Sequence, residues 1–407
     1  MAVNFTIPAE HEIYPVKGVE IGIAEAGVKK TNHKDLTIFK FSDGTSVAGV
    51  FTSNRFRAAP VQISEQHLQA STIRALIINT GNANAGTGED GINRCLQVCH
   101  ALSEQLNISE QAVLPFSTGV IMETLPADRI IQAIPRAIAD LSENNWFPAA
   151  YSIMTTDTLP KVASRKVQID CDTITITGIS KGAGMIRPNM ATMLCFMATD
   201  IGINQRLLTS MIQEIANRSF NRITVDGDTS TNDSFVIAAT GKHPLFIDSK
   251  DHPYYQDVLK ALTEVALELS QKIVRDAEGA TKFVTVKIDK AQSNEEALKV
   301  AYSIAHSPLI KTALFASDPN LGRILCAIGY AGIPDLDTRK VKLFLGDVLV
   351  SEHGGIAASY TEAQGQAVMN ESEILIHVEL NRGSCSETVY TCDFSHEYVT
   401  INADYRS

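Results

Sequence analysis

KGAGMIRPNMATML, residues 181–194, breaks the local rules of a plain core segment and sets the reading of the chain around it. Gly182 and Gly184 flank Ala183, Pro188 and Asn189 follow, and the chain then enters an apolar run from Met193 to Ala198 that reads as a buried strand. Thr192 stands at that entrance. The glycines permit a close backbone approach or a positive φ. Pro188 removes a donor and fixes one φ, and β-branched Thr192 has few side-chain orientations. Together these residues predict a loop at a strand end that holds one hydroxyl in a prescribed place.

Working outward, the alternation in VQIDCDTITITGI, residues 167–179, predicts two strands that lead into this loop. Upstream, LTIFKF and SVAGVF, within residues 36–52, read as a hairpin turning at Asp43 and Gly44. ALIINTGNANAGTGEDG, residues 75–91, reads as a buried strand and a loop, followed by a helix that carries Cys95 and Cys99. Another helix is expected from Pro126 to about Ser142, kinked at Pro135. Downstream come helical patterns near 205–219 and 255–277, the strand TKFVTVKID, and a helix from Glu295 with Ser293 and Glu296 as a capping box. From Lys340 on, KLFLGDVLV, EILIHVEL and SETVYTC read as strands, with a turn at Arg382 and Gly383. Alternating helices and strands without a repeat or long linker predict one layered α/β assembly of two packed halves.

At 407 residues the chain exceeds the usual size of a single core. Apolar content of 44% and charged content of 20% are those of an ordinary soluble protein. A formal charge of -11 with no basic run excludes nucleic acid and anionic membrane as main partners, since both need clustered Lys and Arg. Small molecules or other protein chains are expected instead. The start MAVNFTIPAEHEIYP lacks a basic segment followed by an apolar one, and no run reaches the ~18 apolar residues that span a bilayer. The cytoplasm is the expected compartment. Seven cysteines without a CxxC pair fit reduced thiols, and Cys95 with Cys99 fit buried packing better than a metal pair. No metal site is expected.

Other segments compete as sites. The glycine loop at 81–91 lacks both phosphate-binding orders, G-x-x-x-x-G-K-[ST] and GxGxxG, and reads as structural. Asp226, Asp228, Ser230 and Asn232 alternate like calcium ligands, but Thr231 and Ile237 stand where a calcium loop needs glycine and glutamate, so a hydrogen-bonded turn is expected. Arg275, Asp276 and Glu278 in RDAEGATK fit a substrate-binding cluster or a solvated helix end equally well. SDPNLGR, residues 317–323, is a turn by composition and equally fits an interface. STG at 117–119 offers a backbone N–H and a hydroxyl to an anion, or forms a simple turn.

KGAGMIRPNMATML closely resembles the ornithine acetyltransferase, or glutamate N-acetyltransferase, family, whose members cut their own chain before a threonine in an ATML sequence. The resemblance covers nearly the whole chain. FTSNRFRAAPV (51–61), NTGNANAGTG (79–88), STGVIME (117–123), MTTDT (154–158), FNRITVDGDTSTND (220–233), RDAEGATK (275–282), DPNLGRI (318–324) and INADYRS (401–407) are similar to its segments, in its order. Arg187 departs from the small residue common there, and Leu321 from the usual tryptophan. The Arg187 departure bears on how the loop before the cut is held, not on the type of reaction.

The resemblance implies a layered α-β-β-α sandwich of the kind shared with N-terminal-nucleophile aminopeptidases. It implies self-cleavage between Ala191 and Thr192, giving an α chain of residues 1–191 and a β chain of residues 192–407, assembled as an α2β2 heterotetramer. Thr192 is then the nucleophile, and the α-amino group freed by the cut, with an ordinary pKa of about 8, serves as its base. Thr118 and Gly119 form the oxyanion hole by the same resemblance. Thr155, Lys181, Thr192, Glu278, Asn402 and Ser407 contact substrate. Lys181 suits a carboxylate and Glu278 an ammonium. The implied reaction is ping-pong acetyl transfer from N-acetylornithine to glutamate in arginine biosynthesis, without a cofactor and with acetyl-CoA left open as a second donor. Two other readings stay open: an aminopeptidase or amidase with the same self-cleavage and water as acceptor, and a non-enzymatic protein whose glycine loops hold an anion.

Overall fold

A computed structural model describes every residue except 1, 30, 171, 188–192 and 405–407. The chain forms two compact units: a larger one of residues 6–221 and 228–273, and a smaller one of residues 1–5, 222–227 and 274–407. These units do not follow the boundary at 191/192.

In the larger unit the chain runs β1 (Val19–Ala24), β2 (Leu36–Phe41), β3 (Ser46–Phe51), α1 (Ala59–Ala70), β4 (Ala75–Asn82), α2 (Gly88–Leu106), β5 (Val113–Val120), α3 (Ala127–Ala139) and α4 (Trp146–Ser152). It continues through β6 (Lys161–Ile169), β7 (Asp172–Lys181), β8 (Leu194–Thr199), β9 (Gly202–Ile203), α5 (Gln205–Arg218), β10 (Ser234–Ala239), β11 (Phe246–Ile247) and α6 (Tyr255–Arg275). One sheet has the order β1-β2-β4-β5 and a second β3-β10-β8-β7-β6. Their inner faces share a core in which Phe196 of β8 lies 5.6 Å from Phe39 and 5.0 Å from Phe116, ring centre to ring centre. The outer face of the first sheet packs Ile38, Ile77 and Val113 against Ile63 of α1, Leu102 of α2 and Ile134 of α3. On the outer side of the second sheet, Gln205 of α5 exchanges hydrogen bonds of 2.7 and 3.1 Å with the Val47 backbone. Arg165 of β6 reaches Glu264 and Glu268 of α6. The larger unit is therefore helices, sheet, sheet, helices, the layered α/β order expected from the chain.

The predicted hairpin at 36–52 is corrected. The turn at Asp43–Gly44 is present, with Gly44 at φ +84°, but β2 pairs with β1 and β4 whereas β3 pairs with β10. Turn chemistry reverses the chain without choosing its strand partner, and here the reversal carries it from one sheet to the other. The helix expected over 126–142 is shorter: Pro126 is the residue before α3, which ends at Ala139. Pro135 lies inside it.

In the smaller unit the order is β12 (Phe283–Ala291), α7 (Asn294–Ala305), α8 (Pro308–Phe315), α9 (Leu321–Gly329), β13 (Lys342–Leu345), β14 (Val348–Glu352), β15 (Gly355–Ile356), α10 (Glu362–Asn370), β16 (Glu373–Glu379), β17 (Cys385–Cys392) and α11 (His396–Ala403). Its sheet, β15-β14-β13-β16-β12-β17, buries Val286, Ile288 and Ile376 against Val300 and Ile304 of α7. Ser293 caps α7 by accepting from the Glu296 N–H at 3.1 Å, but the Glu296 carboxylate accepts from Gln292 instead of Ser293, so the reciprocal box is displaced by one residue. In SDPNLGR, Ser317 takes φ +54° and Asn320 caps α9 through the Arg323 N–H. No helix among the described residues is long and apolar enough to cross a membrane.

Candidate active site

Thr118 and Gly119 lie near the end of β5, parallel to β4 in the register Thr80↔Thr118 and Gly81↔Gly119. Gly119 takes φ +136°, and a Cβ there would come within 2.2 Å of the Gly81 carbonyl carbon. Only glycine allows two backbones this close together. Polar groups fix this strand end from both sides. The Ser117 hydroxyl donates to Asn79 Oδ1 at 2.6 Å, and Asn79 Nδ2 donates to the Asn82 carbonyl at 2.9 Å. Asn232 Nδ2 donates to the carbonyls of Ala83 and Ser117 at 2.6 and 2.9 Å. All three side chains are buried, so these bonds satisfy groups that water cannot reach. Asn232, singled out as a doubtful calcium ligand, acts here as a clamp in a hydrogen-bonded turn. No cluster of three or more metal-ligating side chains occurs among the described residues.

Lys181 ends β7, and its Nζ donates to Thr118 Oγ1 at 3.2 Å. A hydroxyl that accepts this bond keeps its own proton to donate, so Thr118 is equipped to bind negative charge while a cation stands behind it. The adjacent loop is held by Asp157, a buried residue of the MTTDT segment. Its carboxylate accepts from Lys161 Nζ at 2.7 Å, from the Gly182 N–H at 2.7 Å and from the Thr155 N–H at 3.0 Å. Burial opposes ionisation, but the Lys161 and Lys181 ammonium groups and the Gly182 N–H hold the Asp157 carboxyl well below the usual carboxylate range. Asp157 thereby ties Thr155 to the residue that follows Lys181. Thr155 and Asp157 also line a cavity of about 720 Å³, together with Thr80, Gly81, Phe147 and Tyr151.

Thr192 and Ala191, the predicted nucleophile and cleavage position, lie outside the described residues, as do Pro188, Asn189 and Ser407. The strand after them is described. β8 is buried along its length, runs antiparallel to β7 with Lys181 opposite Leu194, and runs parallel to β10 with Ser234 opposite Leu194.

In the smaller unit, buried Glu278 accepts a hydrogen bond from Asn402 Nδ2 at 2.8 Å, so two predicted substrate residues are brought together. Ser395 Oγ donates to the Gly279 carbonyl at 2.6 Å, and Asp393 accepts from Thr281 and Lys282, which fixes the segment against the start of α11. Arg275 separates from this pair. It forms an ion pair with Glu373 at 2.8 Å and lies 3.9 Å over the Phe283 ring, so it closes the end of α6 structurally.

Asp157, Lys161 and Asn79 were not predicted as site residues, and Asn232 was weighed only as a calcium ligand. The only trace of them in the sequence is polar residues inside otherwise apolar or turn-forming stretches, and their burial is a tertiary fact.

The layered sheets define an α/β protein that brings the Thr118 hydroxyl and the Lys181 ammonium together at two strand ends. The chain belongs to the ArgJ family, whose model matches residues 20–407. It is 56% identical, over the full length of both chains, to the arginine biosynthesis bifunctional protein ArgJ of Neisseria meningitidis serogroup A and to that of serogroup B. Among solved structures it is similar to the arginine biosynthesis bifunctional protein of Bacillus halodurans. That match has 36% identity and a TM-score of 0.49, and covers 51% of this chain and 97% of that one.

Proposed function

We propose that this chain is a glutamate N-acetyltransferase of arginine biosynthesis. It moves an acetyl group from N-acetylornithine to glutamate through an ester on Thr192, giving ornithine and N-acetylglutamate. Full-length identity to bifunctional relatives extends the reading to acetyl-CoA as a second donor. The observation that carries the chemistry is the bond from Lys181 to Thr118 beside Gly119.

The precursor cuts itself between Ala191 and Thr192. The threonine hydroxyl adds to the Ala191 carbonyl, an intramolecular step favoured by enforced proximity, and water then releases the ester. The freed amine takes the hydroxyl proton in each later turnover. Thr118 Oγ1–H and the Gly119 N–H stabilise the tetrahedral oxyanion. Lys181 holds Thr118 in its donating orientation and attracts the substrate carboxylate. Thr155, Asn402 and Ser407 make further substrate contacts. Glu278 takes the ammonium that both ornithine and acetylornithine carry, a charge match favoured wherever water is excluded. The α chain of residues 1–191 and the β chain of residues 192–407 assemble as α2β2 in the cytoplasm.

Intact-mass measurement of the purified protein tests this. Two fragments divided before Thr192 are expected, with one uncut and inactive chain for Thr192→Ala. A wild-type protein that stays full-length while transferring acetyl groups sinks the mechanism. Acetylglutamate formed from acetylornithine separates the transferase from an amidase, which releases acetate instead.

A further inference from the structure

Ile23, Phe147 and Met154 form apolar walls of the cavity of about 720 Å³ that Thr155 and Asp157 line. Its mouth is at the surface, where Lys29, Lys34, Pro148 and Tyr151 are exposed. Its floor is buried and is closed by Asp35, Thr80, Ser152 and Asp157. The Phe147 and Tyr151 rings meet edge to face at 5.2 Å, which stiffens one side. Both floor carboxylates are engaged within the protein: Asp35 accepts the Ala26 and Val28 N–H groups at 2.6 Å each, and Asp157 is paired with Lys161. At the mouth Lys29 meets Glu123 at 3.4 Å, whereas no ion pair among the described residues holds Lys34. The cavity therefore offers an open cation at its rim, aliphatic and aromatic walls beneath it and no free carboxylate among its lining residues. Its floor also adjoins the chemistry. Thr80 and Gly81 stand in register with Thr118 and Gly119 on the next strand, and neighbouring strands lie about 4.8 Å apart.

Cavities of ~300–1,000 Å³ take ligands of drug size, and glutamate or acetylornithine fills only part of such a space. Acetylornithine also carries an ammonium, which a lysine rim repels. The ligand that suits this cavity has an acyl group at one end, an uncharged chain of alkyl and amide groups in the middle and phosphates at the other. We propose that the cavity holds the pantetheine arm of acetyl-CoA, with the acetyl end toward Thr80 and Gly81 and the phosphates at Lys34 and Lys29. The inference rests on the reading of acetyl-CoA as a second donor. The alkyl groups of the arm bury against Phe147, Met154 and Tyr151, and Lys34 meets a phosphate in a charge-assisted pair. The amino-acid substrates are held by Lys181 and Glu278 in that reading, so the two donors share the oxyanion donors but are gripped by different residues.

The test compares wild type, Lys34→Glu, Tyr151→Ser and a control, Lys260→Glu, which makes the same charge change on the exposed side of α6. Glutamate acetylation is measured with acetyl-CoA, with S-acetylpantetheine, which lacks the phosphates, and with acetylornithine, and the Kd of CoA is measured by titration calorimetry. Lys34→Glu is expected to raise the KM for acetyl-CoA and the Kd of CoA about tenfold or more, the weight of one charge-assisted bond, and to leave the KM for S-acetylpantetheine unchanged. Tyr151→Ser is expected to raise the KM for both thioesters. Neither should move the KM for acetylornithine, and Lys260→Glu should move nothing. Lys34→Glu and Tyr151→Ser proteins that bind CoA as wild type does overturn the assignment, and so does an equal rise in the KM for acetylornithine, which gives the cavity to the amino-acid substrates. Should Tyr151→Ser not fold, Lys34→Glu decides alone. Wild-type protein that transfers acetyl groups from acetylornithine but does not bind CoA overturns the proposal and leaves the transferase reading intact. Wild-type protein that binds CoA in this cavity but transfers from no donor fails the transferase reading alone, because calorimetry needs no turnover.

Discussion

The Asp157 carboxylate joins buried Lys161, the Thr155 N–H and the Gly182 N–H, so one substitution there reaches three segments at once. Asp157→Asn leaves Lys161, which is fully buried, without its countercharge. A loss of about 3–5 kcal/mol in urea unfolding is expected, because an unpaired charge remains inside. The pH dependence follows from the direction of the shift. An unfolded aspartate titrates near ~3.9, and the folded value lies below that, so the contribution is complete above the unfolded value and is lost as pH falls toward the folded one. Wild-type stability should therefore drop on acidification below about pH 4 more steeply than that of Asp157→Asn. Thr118→Val keeps the shape of the side chain and removes the hydroxyl that Lys181 holds. It should lower kcat for acetyl transfer about 10²–10³-fold, the cost of one oxyanion donor, with little change in unfolding midpoint.

At the scale of elements, the close contact of β4 with β5 depends on Gly119. Gly119→Ala adds a Cβ that meets the Gly81 backbone and forces alanine into a left-handed φ. The combined overpacking and strain should cost about 2–6 kcal/mol, read as a lowered midpoint of denaturant unfolding. The same scale shows what local sequence can and cannot tell. The apolar run beginning at Met193 is legible as a buried strand because both faces of β8 are covered, so apolar residues run on without alternation. The Asp43–Gly44 turn is legible too, but not its consequence. Strand pairing is a long-range choice, and β3 pairs with β10, nearly two hundred residues away in sequence. α3 stops short of the expected Ser142 because residues 140–142 leave the helix to pair with β1: the Ser142 N–H and carbonyl bond to Ile21, and the Asp140 carboxylate accepts from the Ile23 N–H.

At the scale of the whole molecule, the proposed cut falls between two strands of one sheet, since β7 ends at Lys181 and β8 begins at Leu194 in register with it. β8 is central, bonded to β7 on one side and β10 on the other, so the two fragments should co-elute in size-exclusion chromatography and part only in denaturant. Phe196→Ala, which empties the middle of the layer between the two sheets, should cost about 3–5 kcal/mol in either the cut or the uncut chain. By itself the sequence determined the α/β class, most helices and strands, and, through motifs whose order along the chain matches a family, membership of that family. Those features are local or lie in short contiguous segments, where residue type and period carry the information. Only the tertiary structure decided that β2 and β3 belong to different sheets, that Arg275 turns to Glu373 while Glu278 meets Asn402, and that Asp157 and Asn232 are buried clamps, one on Thr155 and Gly182, the other on Ala83 and Ser117. The physical reason is that a carboxyl or amide takes its role from burial and from partners far along the chain, and neither is written in its neighbours.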